Sequence, residues 1–123
     1  MHDAPSAKEL IEAVKSFLDK TAMVQLQGHA AFHARVASNA LATVLREMEQ
    51  RPAAEARERD RLQALLGSEG TDVSELNRKL CEEIRTGRVD LSTPGLLTHL
   101  KSTTIDQLSV DQPGYSGLRT ATR

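Results

Sequence analysis

The residues of this chain that could do chemistry begin with two histidines four positions apart. His29 and His33 would share one face of a helix, the spacing that zinc-binding helices use. A zinc-protease helix carries a glutamate directly after its first histidine, whereas Ala30 stands there in this chain. Since no cysteine or carboxylate stands nearby in obvious ligand register, we predict structural histidines and no metal site.

The sequence lacks the usual patterns of nucleophilic and nucleotide chemistry. Cys81 lies beside Leu80 and near Ile84, and a free cysteine among apolar residues is most often a small buried hydrophobe. A nucleophilic cysteine needs a positive, partly exposed setting and a base, to which nothing in the sequence points. Neither phosphate-binding glycine pattern occurs, nor does the serine-hydrolase elbow. We therefore predict that the chain alone is not an enzyme and uses no cofactor.

A group of polar residues stands in the most apolar segment of the chain. Arg35 and Asn39 are neighbours at i, i+4 on one side of a helix, Arg46 approaches that side further along, and His33 precedes them. A buried arginine is costly unless it is paired. Two interpretations follow: an internal network that fixes helix packing, or a polar edge that meets a protein partner or an anionic ligand. These four residues are candidate partner-binding residues.

The C-terminal segment supplies the second group of candidates. From Asp111 the chain continues through Gln112 and Pro113 to Tyr115, the only tyrosine, and Pro-Gly is turn chemistry. Tyrosine is enriched among interface anchors because it combines area with a polar tip. Tyr115 is therefore either a partner anchor or the peg of a tail folded back on the domain.

Helical periodicity dominates the chain, and no sustained period-two pattern indicates a strand. We predict an all-α, compact bundle of about five helices over residues 1–110 and an extended tail over 111–123. Caps and breakers bound the helices. The predicted boundaries are a capping box at Ser6 and Glu9, a break at Arg51-Pro52, a C-cap at Gly67, a second capping pair at Asp72 and Glu75, and a start at Thr93-Pro94.

Apolar residues on each helix are expected to face the core. They are Leu10, Ile11, Val14, Phe17 and Leu18 on the first, Leu62, Leu65 and Leu66 on the third, Val73, Leu76, Leu80 and Ile84 on the fourth, and Leu97, Leu100, Ile105 and Leu108 on the fifth. The second is apolar nearly all round, with bulky residues from Phe32 to Met48. That distribution predicts a central helix with neighbours on several sides. The charged run from Glu55 to Arg61 is expected to be a solvated face.

Composition narrows the class of protein. The 123 residues carry a net charge of −1, with basic and acidic residues interspersed, so we expect no nucleic-acid partner. No run is long and apolar enough to span a bilayer, so we expect no membrane partner. A single cysteine and the absence of a signal-peptide pattern predict a cytoplasmic protein.

Three segments carry a family resemblance: MHDAP at 1–5, FHARVASNAL at 32–41 and DQPGYSG at 111–117. In this order and spacing they resemble a small bacterial family that is catalogued as a domain of unknown function. Its members are typically encoded beside an aminoglycoside-phosphotransferase-like kinase and an acyl-CoA-dehydrogenase-like enzyme.

The resemblance implies a role beside that kinase. In such gene clusters the kinase is implicated in phosphorylating hydroxyacyl-CoA during the breakdown of 4-hydroxy acids. The chain would then be a non-catalytic accessory subunit of the kinase, and the family offers no established catalytic residues to transfer. A small helical protein that binds acyl-CoA or CoA itself is the alternative, since Arg35, Arg46 or a helix N-terminus could hold the phosphates of CoA.

Overall fold

The computed structural model describes residues 4–123, so the first three residues of the N-terminal motif lie outside the described part of the chain. Five helices make up this part. They are α1 (Ala7–Phe17, continuing through a π-helical turn at Leu18–Ala22 into Met23–Gln25), α2 (Gly28–Leu66), α3 (Val73–Arg85), α4 (Leu96–Asp111) and α5 (Ser116–Ala121). No strand occurs among residues 4–123, and the all-α prediction is confirmed.

The chain divides into two compact units, residues 1–50 and 51–123. We call them the N-terminal and C-terminal units. The single helical domain expected over residues 1–110 stays a prediction.

The predicted break at Arg51-Pro52 is wrong, because α2 continues through Pro52. A proline inside a helix removes one N–H donor from the hydrogen-bond ladder and crowds the carbonyl four residues earlier, at a cost of about 3 kcal/mol. Strong helix formers on both sides, from Arg46 to Gln50 and from Ala53 to Ala56, offset that cost. The described part of the chain therefore has five helices, but their boundaries differ from the predicted ones.

The N-terminal unit is a helical hairpin in which α1 and the first part of α2 are joined by the two residues between Gln25 and Gly28. The capping box predicted at the start of α1 is confirmed. The Glu9 N–H donates to Ser6 Oγ at 3.2 Å, and the Ser6 N–H donates to Glu9 Oε2 at 2.6 Å. These two bonds satisfy donors that the first turn of a helix leaves free. The bond from the Ser6 backbone N–H to the Glu9 carboxylate is also the largest cause of the lowered pKa of the Glu9 carboxyl.

The C-terminal unit contains the apolar core of the described residues. Its buried members are Leu62, Leu76, Leu80, Val89 and Leu96. The Asp72 side chain accepts from the Glu75 N–H at 2.9 Å, and Gly67 ends α2 at a positive φ of 56°, so both predicted caps are confirmed.

The predicted inward stripe of the last long helix is wrong in register. Leu97 and Leu100 are exposed and Ile105 and Leu108 are half-buried, whereas Leu96, His99 and Val110 are buried. The helix begins at Leu96, after Gly95, so the start expected at Thr93-Pro94 is also wrong. Thr93 instead closes a turn by accepting, through Oγ1, from the Asp90 N–H at 2.9 Å.

The sequence predicts an extended tail, and this prediction is wrong: the tail forms a short helix. Residues Ser116–Ala121 are helical, and Leu118 is 9% exposed. A six-residue helix is too short to be stable alone. Burial of Leu118 beside α4, which α5 contacts, is the tertiary contribution that local sequence patterns do not reveal.

Candidate interaction surface

Exposed apolar side chains are concentrated in the N-terminal unit. Among residues 4–123, fourteen large apolar side chains are exposed, and nine of them lie within residues 4–50. The buried residues of this unit, by contrast, are small: Ala34 and Ser38. The hairpin therefore has little core of its own, and much of its apolar surface faces outward.

The stripe predicted to be the core face of α1 is mostly open. Leu10, Val14 and Phe17 are 54%, 53% and 57% exposed, and their i, i+4, i+7 spacing places them on one side of the helix. Ile11 and Leu18, the adjacent residues, are half-buried. Since neighbours on a helix point about 100° apart, α1 carries two apolar sides, of which the one around Ile11 and Leu18 is better covered.

The central-helix prediction for α2 is wrong over its first part. An open apolar row with a spacing of four runs along it: Phe32, Val36, Ala40, Val44 and Met48. Ala34 and Ser38, a second pair four apart, are buried instead. Small residues there let another helix backbone approach closely, which leaves the bulky row outside. We call this row, together with the stripe of Leu10, Val14 and Phe17, the open apolar surface.

A polar clamp closes the hairpin. Asp19 lies in the π-helical turn and accepts from Lys15 Nζ through Oδ2 at 2.6 Å. Its other oxygen, Oδ1, accepts a short hydrogen bond from the buried Ser38 hydroxyl. These two bonds, that from Lys15 first, hold the pKa of the Asp19 carboxyl below its usual value. The clamp joins α1 to α2 on the side away from the bulky row.

Arg35, Asn39 and Arg46 share one side of α2 in the N-terminal unit and form a polar edge there, whereas His33 lies on the side of the bulky row. His33, Arg35 and Asn39 are exposed, and the His33 ring meets Phe32 edge-on at a centroid distance of 5.7 Å. Arg46 is half-buried and donates to Thr43 Oγ1 at 3.1 Å. Of the two interpretations, exposure favours the edge. Whether a partner binds it stays a prediction.

The C-terminal candidates form a tight turn between α4 and α5. Asp111 accepts from Gln107 Nε2 at 2.6 Å, and the Tyr115 N–H donates to the Gln112 carbonyl at 2.9 Å. Asp111, Gln112 and Pro113 are exposed, and the Tyr115 ring is 51% exposed. A Cβ on Gly117 would come within 2.6 Å of Tyr115 Cε1, so the missing side chain makes room for the ring. Leu118, and not Tyr115, is the buried residue of the folded tail, so one side of the Tyr115 ring remains exposed to solvent.

The charged run of α2 is more than a solvated face, because it also pins other segments of the C-terminal unit. Arg57 donates to Asp106 Oδ1 at 2.9 Å, and Arg59 donates to the Thr71 carbonyl at 2.8 Å. Arg61 lies 3.4 Å from Nδ1 of the buried His99 and 3.3 Å from Thr103 Oγ1. Both the burial of His99 and the Arg61 charge lower the pKa of the imidazole, and burial is the larger cause.

The remaining chemical candidates are placed as follows. Cys81 is exposed, so the prediction of a small buried hydrophobe is wrong. It lines an open groove of about 390 Å³ on α3 whose other walls are charged: Glu75, Arg78, Lys79, Glu82 and Arg85.

The described residues contain no group of three side chains placed to hold a metal ion. Within the same residues, no helix is both long and apolar enough to cross a membrane.

The geometry defines an all-α protein with an open helical hairpin at its N-terminal end. The chain belongs to the family described as Domain of unknown function (DUF6285), which it matches over residues 24–115 of its 123. No match was found among curated proteins or among solved structures. The second motif of the resemblance and most of the third lie within the matched range.

Sequence reasoning missed the clamp and the open apolar surface. The signal for the surface was present in two adjacent apolar pairs, Leu10-Ile11 and Phe17-Leu18, because a single buried stripe does not require neighbours that point 100° apart. The clamp had no such signal. Ser38 and Asp19 are nineteen positions apart, and only the packing of α1 on α2 brings them together.

Proposed function

We propose that this protein is a non-catalytic accessory subunit that binds and supports a phosphotransferase-like kinase acting on hydroxyacyl-CoA in 4-hydroxy acid catabolism. The observation that carries the proposal is the open apolar surface of a hairpin that buries only small residues. Monomeric soluble proteins rarely leave a large contiguous apolar patch in water, and such patches mark protein-binding sites. The kinase enters through the resemblance of the three sequence motifs, and membership of the family agrees with that resemblance.

The subunit would act by stabilising the kinase or by completing its acyl-CoA pocket. Two exposed polar groups offer contacts of the kind found at the rim of an interface. Arg35 and Asn39 form the first, in the N-terminal unit, where His33 is a further exposed polar residue on another side of α2, and Asp111 to Tyr115 form the second, in the C-terminal unit. Arginine and tyrosine are enriched among the residues that contribute most to binding.

The test is an assay of the neighbouring kinase with and without this protein. ADP release would be followed with ATP and a 4-hydroxyacyl-CoA, after the two proteins have been co-expressed and co-purified. We expect a stable complex and an activity that collapses when the subunit is omitted. A kinase that works unaided and forms no complex would contradict the proposal.

Two variants and a control then locate the polar contacts. Arg35→Ala and Tyr115→Ala remove one candidate from each group, and both side chains are exposed, so the fold should tolerate their loss. Lys101→Ala, another exposed position, is the matched control. We expect Arg35→Ala and Tyr115→Ala to weaken the complex, while Lys101→Ala leaves it unchanged.

Calorimetry of the isolated protein with acyl-CoA tests the alternative function. Saturable heat from the chain alone would support a CoA-binding protein, whereas a response only in the presence of the kinase would support an accessory subunit.

A further inference from the structure

One side of the N-terminal hairpin has the residue pattern of half a four-helix bundle. We propose that two copies of this chain associate through that side, so that α1 and the first part of α2 from each copy form a four-helix bundle. The occupant of this side is thus a second copy of the chain. The inference goes beyond the proposed function and does not depend on the kinase.

The apolar residues of α1 are arranged for two neighbouring helices. Ile11 and Leu18 lie on the side that is better covered. Leu10, Val14 and Phe17 are each more than half exposed, and their spacing of four and then three is the seam pattern of helical bundles. Each helix of a four-helix bundle packs against two neighbours. In the hairpin α1 packs on α2, to which the clamp joins it, and its second apolar side is open.

The same side of the hairpin continues on α2. Val44 and Met48 are exposed, and on a helical wheel they lie roughly 60° to 100° from the middle of the buried pair, Ala34 and Ser38. On α1 the open stripe is displaced from the covered residues of that helix by a similar angle and in the same rotational sense. An approximate two-fold axis relates the helices of an antiparallel pair, so equal displacements place residues on the same side of the pair. We call this set the bundle face: Leu10, Val14, Phe17, Val44 and Met48.

The register of the hairpin groups these residues into layers. The hydrogen bond of the clamp places its donor and its acceptor at the same level. Val14 lies five positions before the acceptor and Val44 lies six positions after the donor, so the two valines lie at one level. Leu10 and Met48, nine and ten positions from the same two residues, form the next level. Apolar layers shared by neighbouring helices are the way in which a bundle core is built.

The bundle face suits contact with an identical face because it carries no charge. In a two-fold contact the same patch of each copy meets, so charges near the axis would face their own kind and repel. Ala7 and Ala37, each seven positions before a valine of the face, continue it with small residues. Small residues at a helix contact allow a short distance between the helix axes.

The charges around the face are balanced, so two N-terminal units do not repel each other as whole bodies. The described residues of the unit contain five basic residues (Lys8, Lys15, Lys20, Arg35 and Arg46) and five acidic ones (Glu9, Glu12, Asp19, Glu47 and Glu49). Electrostatic forces therefore neither oppose the association nor drive it, and burial of apolar surface provides the driving force.

The area of the bundle face matches what a small dimer interface requires. Its five residues are between 40% and 57% exposed, which at roughly 150 Å² for a fully exposed side chain amounts to about 370 Å² in each copy. Two faces together provide about 740 Å² of apolar surface. A specific interface at the lower end of the usual range buries about 1,200 Å² in total, of which about 60% is apolar. The two apolar areas agree.

The N-terminal unit also has a reason to associate with itself in the free protein. Among its described residues those that are buried, Ala34 and Ser38, are small, so the hairpin alone buries little apolar area. Natural proteins often stabilise small units of this kind by oligomerisation. A second copy is present wherever the protein is, and it supplies two further helices of matching pattern.

The proposed dimer leaves another apolar part of α2 open. Phe32 and Val36 each lie two positions from the buried Ala34, which places them about 160° from it, on the side of α2 that points away from α1. Together with the polar edge, they stay available to the kinase of the proposed function. Val36 is therefore a control position for the dimer within the same unit.

The experiment measures the mass of the free chain by light scattering over a series of protein concentrations. Val14→Glu and Val44→Glu each place a carboxylate in the bundle face, one on each helix. Val36→Glu is the matched control, because Val36 is 49% exposed and lies outside the face. Circular dichroism of each variant checks its helix content.

We expect a dimer for the unchanged chain and for Val36→Glu. Val14→Glu and Val44→Glu should be monomers at the same concentrations, since a carboxylate in an apolar interface loses its hydration without a partner. If the carboxylate also unfolds the hairpin, Val14→Ala and Val44→Ala take its place, because alanine favours the helix. Each truncation removes apolar contact from both copies and should raise the Kd of the dimer by about tenfold or more, whereas Val36→Ala should leave it unchanged.

A monomer of the unchanged chain at every concentration would overturn the inference and leave the proposed function standing, since the kinase assay does not require a dimer. A dimer that Val36→Glu dissociates, while Val14→Glu and Val44→Glu retain it, would place the contact elsewhere and would also overturn the inference. A kinase that works unaided would contradict the proposed function without affecting the dimer.

Discussion

His99 is a buried histidine that lies beside a permanent cation, the guanidinium of Arg61. His99 Nδ1 lies 3.4 Å from Arg61 Nε, and only 2% of the residue's surface is exposed. An imidazole whose Nδ1 accepts a hydrogen bond cannot also carry a proton on that nitrogen. Burial and the Arg61 charge therefore both oppose protonation and lower the pKa of the imidazole, whereas the Glu58 charge favours protonation. Such a group couples the stability of the C-terminal unit to pH.

We predict that the free energy of unfolding falls as the pH is lowered from about 7.5 to about 5.5. An unfolded histidine has a pKa of about 6.5, and the pKa of His99 in the folded chain is lower. Between the two values the unfolded state binds more protons, so stability is fully present above the unfolded pKa and decreases as the pH falls through this window. Urea unfolding followed by circular dichroism at several pH values measures the slope.

Two variants assign that pH dependence to its residue. His99→Gln keeps a hydrogen-bond acceptor but cannot titrate, and it should flatten the pH dependence. His33→Gln removes an exposed histidine and should leave the dependence as it is. Equal slopes in all three proteins would show that His99 is not responsible.

A second prediction at the residue scale concerns the clamp of the hairpin. Ser38→Ala removes a buried hydroxyl that donates to Asp19, and we expect a loss of about 1 kcal/mol in the free energy of unfolding. Asp19→Asn should also destabilise, because a neutral amide loses the ion pair with Lys15. Chemical denaturation measures both. Ser74→Ala, at an exposed position on α3, should change stability little, and a comparable loss there would argue against a specific clamp.

At the scale of elements, Pro52 is the clearest departure from sequence rules. Because α2 is helical on both sides of it, replacement by a residue with an N–H restores one rung of the ladder. We predict that Pro52→Ala raises the free energy of unfolding by about 1 to 3 kcal/mol. Ala56→Gly, at an exposed position of the same helix, should lower it by about 1 kcal/mol. Loss of stability in Pro52→Ala would mean that the helix depends on the local geometry of the proline.

The turn before α5 allows a spectroscopic prediction. The chain has one tyrosine and no tryptophan, so its tyrosine fluorescence reports Tyr115 alone. In Gly117→Ala the new methyl group would collide with the ring, and the ring must move. We expect a change in emission and in acrylamide quenching. Gly114→Ala is the control, since a Cβ there meets no atom within 4 Å. An unchanged signal in Gly117→Ala would contradict the packing of the ring.

What could be predicted from sequence differs between elements. Caps were predictable at Ser6, Gly67 and Asp72 because their geometry depends on residues a few positions apart. The core of the C-terminal unit was predictable at Leu62, Leu76 and Leu80, where a single apolar stripe meets a polar face. Such features are local, and sequence spacing specifies them.

Other features depend on packing that spacing does not specify. The sequence predicts Leu97 and Leu100 inside because α4 begins with several leucines, and spacing alone does not tell whether Leu96 or these two face the core. The sequence predicts Phe32 and Val36 inside because apolar residues usually are, yet both are exposed in the structure. The exposure of Arg35 and Asn39 likewise required the packing of α1 on α2.

At the scale of the whole molecule, the two kinds of candidate contact predict different responses to salt. The open apolar surface belongs to a unit with balanced charge, and burial of apolar area is not screened by ions. Contacts through Arg35 or Asp111 are exposed ionic contacts, which weaken once the Debye length shrinks from about 10 Å at 0.1 M to about 3 Å at 1 M salt. We therefore predict that the complex with the kinase changes its Kd by less than about tenfold over this range, as measured by calorimetry or by fluorescence anisotropy of a labelled subunit. Val36→Glu should be weak at both salt concentrations, and Arg35→Ala should lower affinity mainly at the lower one. Dissociation of the unchanged complex at about 1 M salt would assign the binding energy to the polar groups and not to the hairpin.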